Sequence, residues 1–176
     1  MRKITTPLTK PIRAKLRCGE EVLLSGTVYT ARDTVHKKLA EAIRNRKTLP
    51  IALKDAVIYY CGPTELRAGG CFGSAGPTTS SRMDEFTPLL FKKGLGAMIG
   101  KGSRSEKVKN LIKKKKAVYF LAAGGAGAYL AKRIVSAKKI AFKKLGTEAV
   151  YKLTVRDFPL IVGIDSRGKD IYEKKR

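Results

Sequence analysis

The residues best able to do chemistry lie in one run, Gly73-Ser74-Ala75-Gly76-Pro77-Thr78-Thr79-Ser80-Ser81-Arg82-Met83-Asp84. Glycines and a Gly-Pro turn open the backbone, four consecutive hydroxyls add donors, and Arg82 brings a fixed cation. A helix is expected to start at Ser81, with Asp84 reaching back as in a capping box. Free N–H groups and the helix dipole at such a start favour an anion, so Thr78, Thr79 and Arg82 are candidate anion ligands. The same composition also fits an ordinary polar turn.

Two more cations sit at expected strand ends. Arg32 follows a strand ending in Tyr29-Thr30-Ala31 and precedes a helix opening at Asp33. Residues at such junctions line the ligand edge of α/β sheets, and an arginine there can hold a carboxylate through two parallel hydrogen bonds. It would equally serve as a surface ion pair with Asp33 or Glu41. Lys101 lies in Gly100-Lys101-Gly102 just after another expected strand, where flanking glycines permit close approach. His36, the only histidine, is either an acid–base group or a satisfied structural residue. Gly124 to Gly127 lacks the Gly-Lys-Ser/Thr ending of a phosphate loop and reads as close helix packing.

The elements that must position these residues alternate between strand and helix. Glu21 to Tyr29 is rich in β-branched and aromatic residues and predicts a strand. Val35, Leu39, Ala42 and Ile43 fall on one face of a helix over 33–46. Short strands are expected at 56–61, 97–100 and 117–121, and a helix starting at Ser103 or Ser105 presents Val108, Leu111 and Ile112. Thr87-Pro88 should split the helix after the glycine-rich loop, which spans 62–80. Strands at 134–135, 140–142, 150–155 and 160–164 complete the chain. The fold class is therefore α/β in a single domain, 1–176, with a mixed sheet or two small sheets and flanking helices. Pro7 and Pro11 suggest an extended arm over 1–20, and 171–176 a frayed tail.

The chain has 176 residues, 38 Lys and Arg against 14 Asp and Glu, and a net charge of +24. Fourteen of the basic residues lie between Lys101 and Lys144, against the single acid Glu106. An acidic counterpart is implied: a partner subunit, small anions or nucleic acid. A nucleic-acid-binding module is the competing reading, but no RNP-like motif, helix-turn-helix or zinc module is present, and the cations are spread over several elements. Cys18, Cys61 and Cys71 show no C-x-x-C spacing and read as packing residues or incidental thiols. No apolar run approaches the roughly 18 to 20 residues of a membrane span, and no apolar stretch follows the charged N-terminus, so the expected location is the cytoplasm. No serine–histidine–aspartate order, zinc signature or carboxylate pair stands out, so the chain looks like half of a site.

A series of ordered motifs resembles the β subunit of class I iron–sulfur fumarate hydratases and L(+)-tartrate dehydratases, a sequence that forms the C-terminal domain in single-chain fumarases. The series includes Thr5-Thr6-Pro7-Leu8, Gly19 to Gly26, Tyr29-Thr30-Ala31-Arg32-Asp33 and Tyr60-Cys61-Gly62-Pro63-Thr64. It continues through Gly73 to Thr79, Arg82-Met83-Asp84 and Met98-Ile99-Gly100-Lys101-Gly102, and closes with Gly146-Thr147-Glu148-Ala149 and Asp157-Phe158-Pro159. The resemblance implies a swivelling β/β/α domain. It implies reversible hydration of fumarate to L-malate, or the tartrate counterpart, by a chain inactive alone. A [4Fe–4S] cluster would be held by an α subunit, expected to be acidic and to assemble as α2β2, and would act as a Lewis acid. Arg32, Arg82 and Lys101 would grip the substrate carboxylates, and Thr78 would take the C3 proton. Asp33 and His36 would support Arg32. Neither Cys61 nor Cys71 is expected to bind the cluster.

Overall fold

The computed structural model describes residues 1–65 and 72–173. The strands are β1 (Arg2–Thr5), β2 (Glu21–Thr30), β3 (Val57–Tyr59), β4 (Ala97–Gly100), β5 (Val118–Leu121), β6 (Ile134–Ala141) and β7 (Val150–Ile164). The helices are α1 (Lys10–Lys15), α2 (Asp33–Arg44), α3 (Thr87–Lys92), α4 (Glu106–Lys115) and α5 (Gly127–Ala131). A 3-10 turn covers Ser80–Met83.

Strands β1 to β5 run parallel in the order β1-β2-β3-β4-β5, and β7 joins antiparallel beyond β5 with β6 outside it. β7 also pairs antiparallel with β2, from Glu21 opposite Ile161 to Tyr29 opposite Lys152, so the sheet closes on itself through β2, β3, β4, β5 and β7. This is the expected mixed sheet with flanking helices. Because successive side chains in a strand point to opposite faces, the short parallel strands bury both faces. Val57, Tyr59, Ala97, Ile99, Val118 and Phe120 join β2 and β7 residues in one core, filling the closed sheet. Ile58, Tyr60, Met98 and Tyr119 point the other way and pack with Val35 and Leu39 of α2, Leu90 and Phe91 of α3, and Val108 and Ile112 of α4. No helix among the described residues is long and apolar enough to cross a membrane.

Four expectations are corrected. Residues 1–20 are no extended arm: β1 pairs with Val22–Ser25 of β2, and Pro11 sits in the first turn of α1, where its missing N–H costs nothing. The strands expected at 134–135 and 140–142 are one strand, β6, as are those at 150–155 and 160–164, β7. β7 survives Asp157-Phe158-Pro159 because Asp157 adopts a left-handed φ of 46° and the register slips opposite Gly26, whose φ is 111°; a bulge of this kind absorbs the bend. Asp84 makes no capping box. Its carboxylate accepts instead from Arg104 Nε at 2.6 Å and the Ser105 backbone N–H at 2.6 Å. The tail is tied down as far as Glu173, where the Ile171 N–H donates to Gly163 O and Lys109 Nζ reaches Asp170 Oδ2 at 3.1 Å; 174–176 lie outside the described residues.

Candidate active site

Strands β2, β3, β4 and β5 are parallel, so their carboxyl ends share one edge. Arg32, Gly62, Lys101 and Gly124 leave the sheet there, where open α/β sheets place ligands. The glycine-rich loop is pinned across this edge by backbone hydrogen bonds. Thr64 N–H donates to Ser74 O at 2.9 Å, Ala75 N–H to Gly127 O at 2.9 Å, and Thr78 N–H to Tyr60 O at 2.7 Å. Close packing explains Gly127: a Cβ there would stand 2.2 Å from Ser74 Oγ. Gly127 therefore serves packing, as the sequence suggested for the run, whereas a Cβ on Gly125 would meet nothing within 4 Å and its φ of 78° is what favours glycine there.

Thr78, Thr79 and Lys101 come together through a short parallel ladder. Lys101 N–H donates to Thr78 O at 3.3 Å and Ser80 N–H donates to Lys101 O at 3.0 Å, pairing Thr79 with Lys101. Thr78 is half-buried, whereas Thr79 and Lys101 are exposed. The 3-10 turn begins at Ser80, one residue after this ladder, and carries Arg82.

Arg32, Asp33 and Arg82 form the second group. Arg32 occupies the N-cap position of α2, and Asp33 opens the helix. Arg82 Nε lies 2.9 Å from Asp33 Oδ1, and Arg32 Nε lies 3.8 Å from Asp33 Oδ2 and 3.4 Å from Glu148 Oε1. Arg32 thus pairs with Asp33, but with Glu148 rather than Glu41. The nearest carboxylate contacts of both guanidiniums are at Nε, and the buried Arg32 Nε makes no hydrogen bond among the described residues. The Arg82 side chain is 50% exposed and that of Arg32 27%. Gly62 leaves room for Arg32, since a Cβ there would stand 2.9 Å from Arg32 Cδ and 3.0 Å from Nη1.

Beneath this edge lies a buried brace absent from the sequence reading. Arg104 pairs with Asp84 Oδ1 at 2.6 Å, donates from Nη2 to Thr87 Oγ1 at 3.0 Å, and lies over the rings of Tyr60 and Tyr119. Tyr119 Oη lies 2.8 Å from both Ser80 Oγ and Gly102 O. The segment carrying Arg82 is thereby clamped to the segment carrying Lys101. In sequence, Arg104 is one of fourteen clustered cations and nothing distinguishes it. Glu148 had a signal, because it lies in the quoted Gly146–Ala149 motif.

His36 is fully buried, with Nδ1 donating to Arg32 O at 2.9 Å and the ring edge-on to Tyr60. Burial lowers its pKa from 6.5 to about 4, so it is a neutral imidazole at physiological pH. This geometry fits a support beneath Arg32 rather than a solvent-facing acid or base. The Cys61 thiol is buried, and that burial, opposed by the nearby Arg32 charge, pushes its pKa up to about 12. A protonated, enclosed thiol is poorly suited to metal ligation. Among the described residues there is no group of three or more His, Cys, Asp or Glu able to hold a metal ion. Cys71 lies outside the described residues.

Comparison with known proteins shows the family. A family model described as the fumarase C-terminus matches residues 3–175. The chain is 42% identical over 159 residues to a protein named fumarate hydratase 2 from Leishmania major, covering 89% of this chain and 28% of that protein. It is 40% identical over 154 residues to one named fumarate hydratase class I, anaerobic, from Escherichia coli, covering 86% of this chain and again 28% of the relative. It is 37% identical over 173 residues to one named putative L(+)-tartrate dehydratase subunit beta from Methanocaldococcus jannaschii, where the match covers 95% and 89% of the two chains. The chain thus spans a little over a quarter of the fumarate hydratases it matches and nearly all of the β-subunit relative.

Proposed function

Because this chain belongs to the fumarase C-terminus family, we propose that it is the β subunit of an iron–sulfur-dependent hydro-lyase that reversibly hydrates fumarate to L-malate. The observation that carries the reading is the carboxyl edge of the sheet. There Arg32 and Arg82 share Asp33, and Lys101 is laddered to Thr78 and Thr79.

In this reading the outer nitrogens of Arg32 and Arg82 take one substrate carboxylate, and Lys101, with the Thr79 hydroxyl, takes the other. Removing the C3 proton of malate leaves charge that spreads into the adjacent carboxylate, and fixed cations stabilise that charge most where it develops. Thr78 accepts the C3 proton. A hydroxyl is a weak base, so it needs the neighbouring cations to favour its anionic form. Asp33 and His36 hold Arg32 in place. Activation of the C2 hydroxyl is assigned to a [4Fe–4S] cluster carried by a partner α subunit, because the described residues here do not fit a cluster ligand set. The partner closes the site from outside in an α2β2 assembly and presents an acidic face to this basic chain.

A second reading, L(+)-tartrate dehydratase β subunit, is favoured by the 89% coverage of the Methanocaldococcus relative. It uses the same residues on a dicarboxylate bearing one more hydroxyl. Anaerobic reconstitution with a cluster-bearing α subunit tests both readings. Fumarate–malate interconversion supports the first and tartrate dehydration the second. A well-assembled complex inactive on both would refute the hydro-lyase assignment.

A further inference from the structure

The opposite edge of the sheet carries a second charged surface that the hydro-lyase reading leaves unused. A groove of ≈ 940 Å³ opens there, lined from segments that precede strands β2 to β5. Lys92 and Lys93 come from the end of α3, ahead of β4, and Lys114 to Lys116 from the end of α4, ahead of β5. Lys54 comes from the loop before β3, and Lys10 from the start of α1 before β2. All seven side chains belong to exposed residues. Among the described residues none has an acid within 4.0 Å.

The floor of this groove is built. Arg13 is buried beneath it, paired with Asp55 Oδ1 at 2.7 Å. It also donates from Nε to Lys116 O at 2.8 Å and from Nη1 to Leu8 O. Asp55, the only carboxylate lining the groove among the described residues, is therefore neutralised by a residue of the floor. Lys54 pairs with Leu95 in an antiparallel bridge, and Asp55 N–H donates to Gly94 O at 2.9 Å. One arginine and these backbone bonds fix the α1, β3, β4 and β5 rims relative to one another before any ligand arrives.

Helix dipoles account for only part of this charge. Cations suit the carboxyl ends of α3 and α4, but Lys10 sits at the amino end of α1, where the dipole disfavours it, and Lys54 is on no helix. Seven like charges held unneutralised on a concave wall focus a positive potential. The groove also lies away from the edge where a cluster-bearing subunit would close on Arg32, Arg82 and Lys101.

We infer that this amino-edge groove binds the phosphodiester backbone of nucleic acid without sequence preference. The chemistry fits: compact ammonium charges on flexible stems follow a repeating phosphate backbone as point charges. The lining offers no exposed aromatic platform for bases, because Phe91 is buried. The wide scatter of lysines in sequence is no obstacle, because a parallel sheet gathers the segments before its strands onto one edge. This inference does not depend on the hydro-lyase reading.

The test is fluorescence anisotropy of the full chain with a labelled 20-mer of oligouridylate over a salt series. Seven lysines on a single strand give a slope of log K against log salt of roughly −5. Lys92→Glu/Lys93→Glu/Lys114→Glu/Lys115→Glu is expected to weaken binding at least tenfold and flatten the slope. The matched control Lys37→Glu/Lys132→Glu/Lys138→Glu/Lys152→Glu, with the same charge change on other exposed positions, is expected to stay within threefold. The corresponding four-fold glutamine variant of the groove covers the case in which reversal unfolds the chain. Inorganic polyphosphate should compete with the oligonucleotide, and polyglutamate of equal charge should compete poorly. Absence of wild-type binding, equal losses in groove and control variants, binding of polyphosphate alone, or equal competition by polyglutamate would each overturn the inference. The last result would point to an acidic protein partner instead.

Discussion

Arg82 places Nε 2.9 Å from Asp33 Oδ1, joining the turn after the glycine-rich loop to the first residue of α2. The two residues are 49 positions apart in sequence, yet Asp33 also faces Arg32 through its other oxygen. One carboxylate therefore lies between two guanidiniums, 2.9 Å from Arg82 and 3.8 Å from Arg32. With the Arg82 side chain 50% exposed, the pair's own stabilisation is small; its value lies in orientation.

Asp33→Asn removes the shared anion while keeping shape. The two arginines then repel and lose their common anchor. The reconstituted enzyme is expected to lose about ten- to a hundredfold in kcat/KM, with most of the change in KM. Steady-state kinetics at wild-type parameters would show that the carboxylate positions nothing.

Arg82→Ala is expected to abolish turnover while subunit assembly, read by gel filtration, stays intact. Arg82→Lys should recover little, because an ammonium cannot contact Asp33 and still present a planar pair of donors to a carboxylate. Full rescue by lysine would indicate that only net charge matters at this position.

Gly62→Ala tests how Arg32 is placed. The added methyl would stand 2.9 Å from Arg32 Cδ, so the guanidinium must shift. No change or a small fall in the unfolding free energy, together with a KM several-fold higher, is expected. An unaltered KM would mean that Arg32 is not in contact with substrate.

Arg104→Met leaves Asp84 without its buried partner beneath the site. Breaking a buried pair by removing one member costs on the order of 3 to 5 kcal/mol. Urea titration should show that loss. A double change with Asp84→Leu should recover much of it, since no uncompensated charge then remains.

His36 should make stability depend on pH. Burial holds its folded pKa at about 4, below the 6.5 of an unfolded imidazole. Between those values the unfolded chain takes up the proton more readily. Its contribution is therefore complete above pH 6.5, falls as pH drops toward 4, and changes no further below that, for a total on the order of 3 kcal/mol. His36→Asn keeps a donor for Arg32 O and should flatten this part of the urea-midpoint profile. An equally steep variant profile would assign the effect to other groups.

Much of the fold was legible because local rules and burial agreed. The continuous apolar run Val57-Ile58-Tyr59-Tyr60 reported a strand that the structure buries on both sides, and the spacing of Val35 and Leu39 reported the helix face that it buries. The first twenty residues were misread because Pro11 was weighed as a helix breaker rather than as a first-turn residue. β7 was cut in two because a bulge at Asp157 looks, in sequence, like a loop.

At the site, residue types and their motifs were readable: Arg32, Thr78, Thr79, Arg82 and Lys101 were all named before any geometry. Their mutual placement was not, nor were the roles of Glu148 and Arg104. Periodicity reports which face of an element is buried, because that depends on neighbours within a few residues. It does not report which strand end lies beside which. That depends on closure of the sheet through β2 and β7, a contact between residues more than a hundred positions apart. The sequence alone therefore determined the parts and their chemistry. The closed mixed sheet decided that cations from separate segments gather on two opposite edges, because every strand of its parallel set begins on one side and ends on the other.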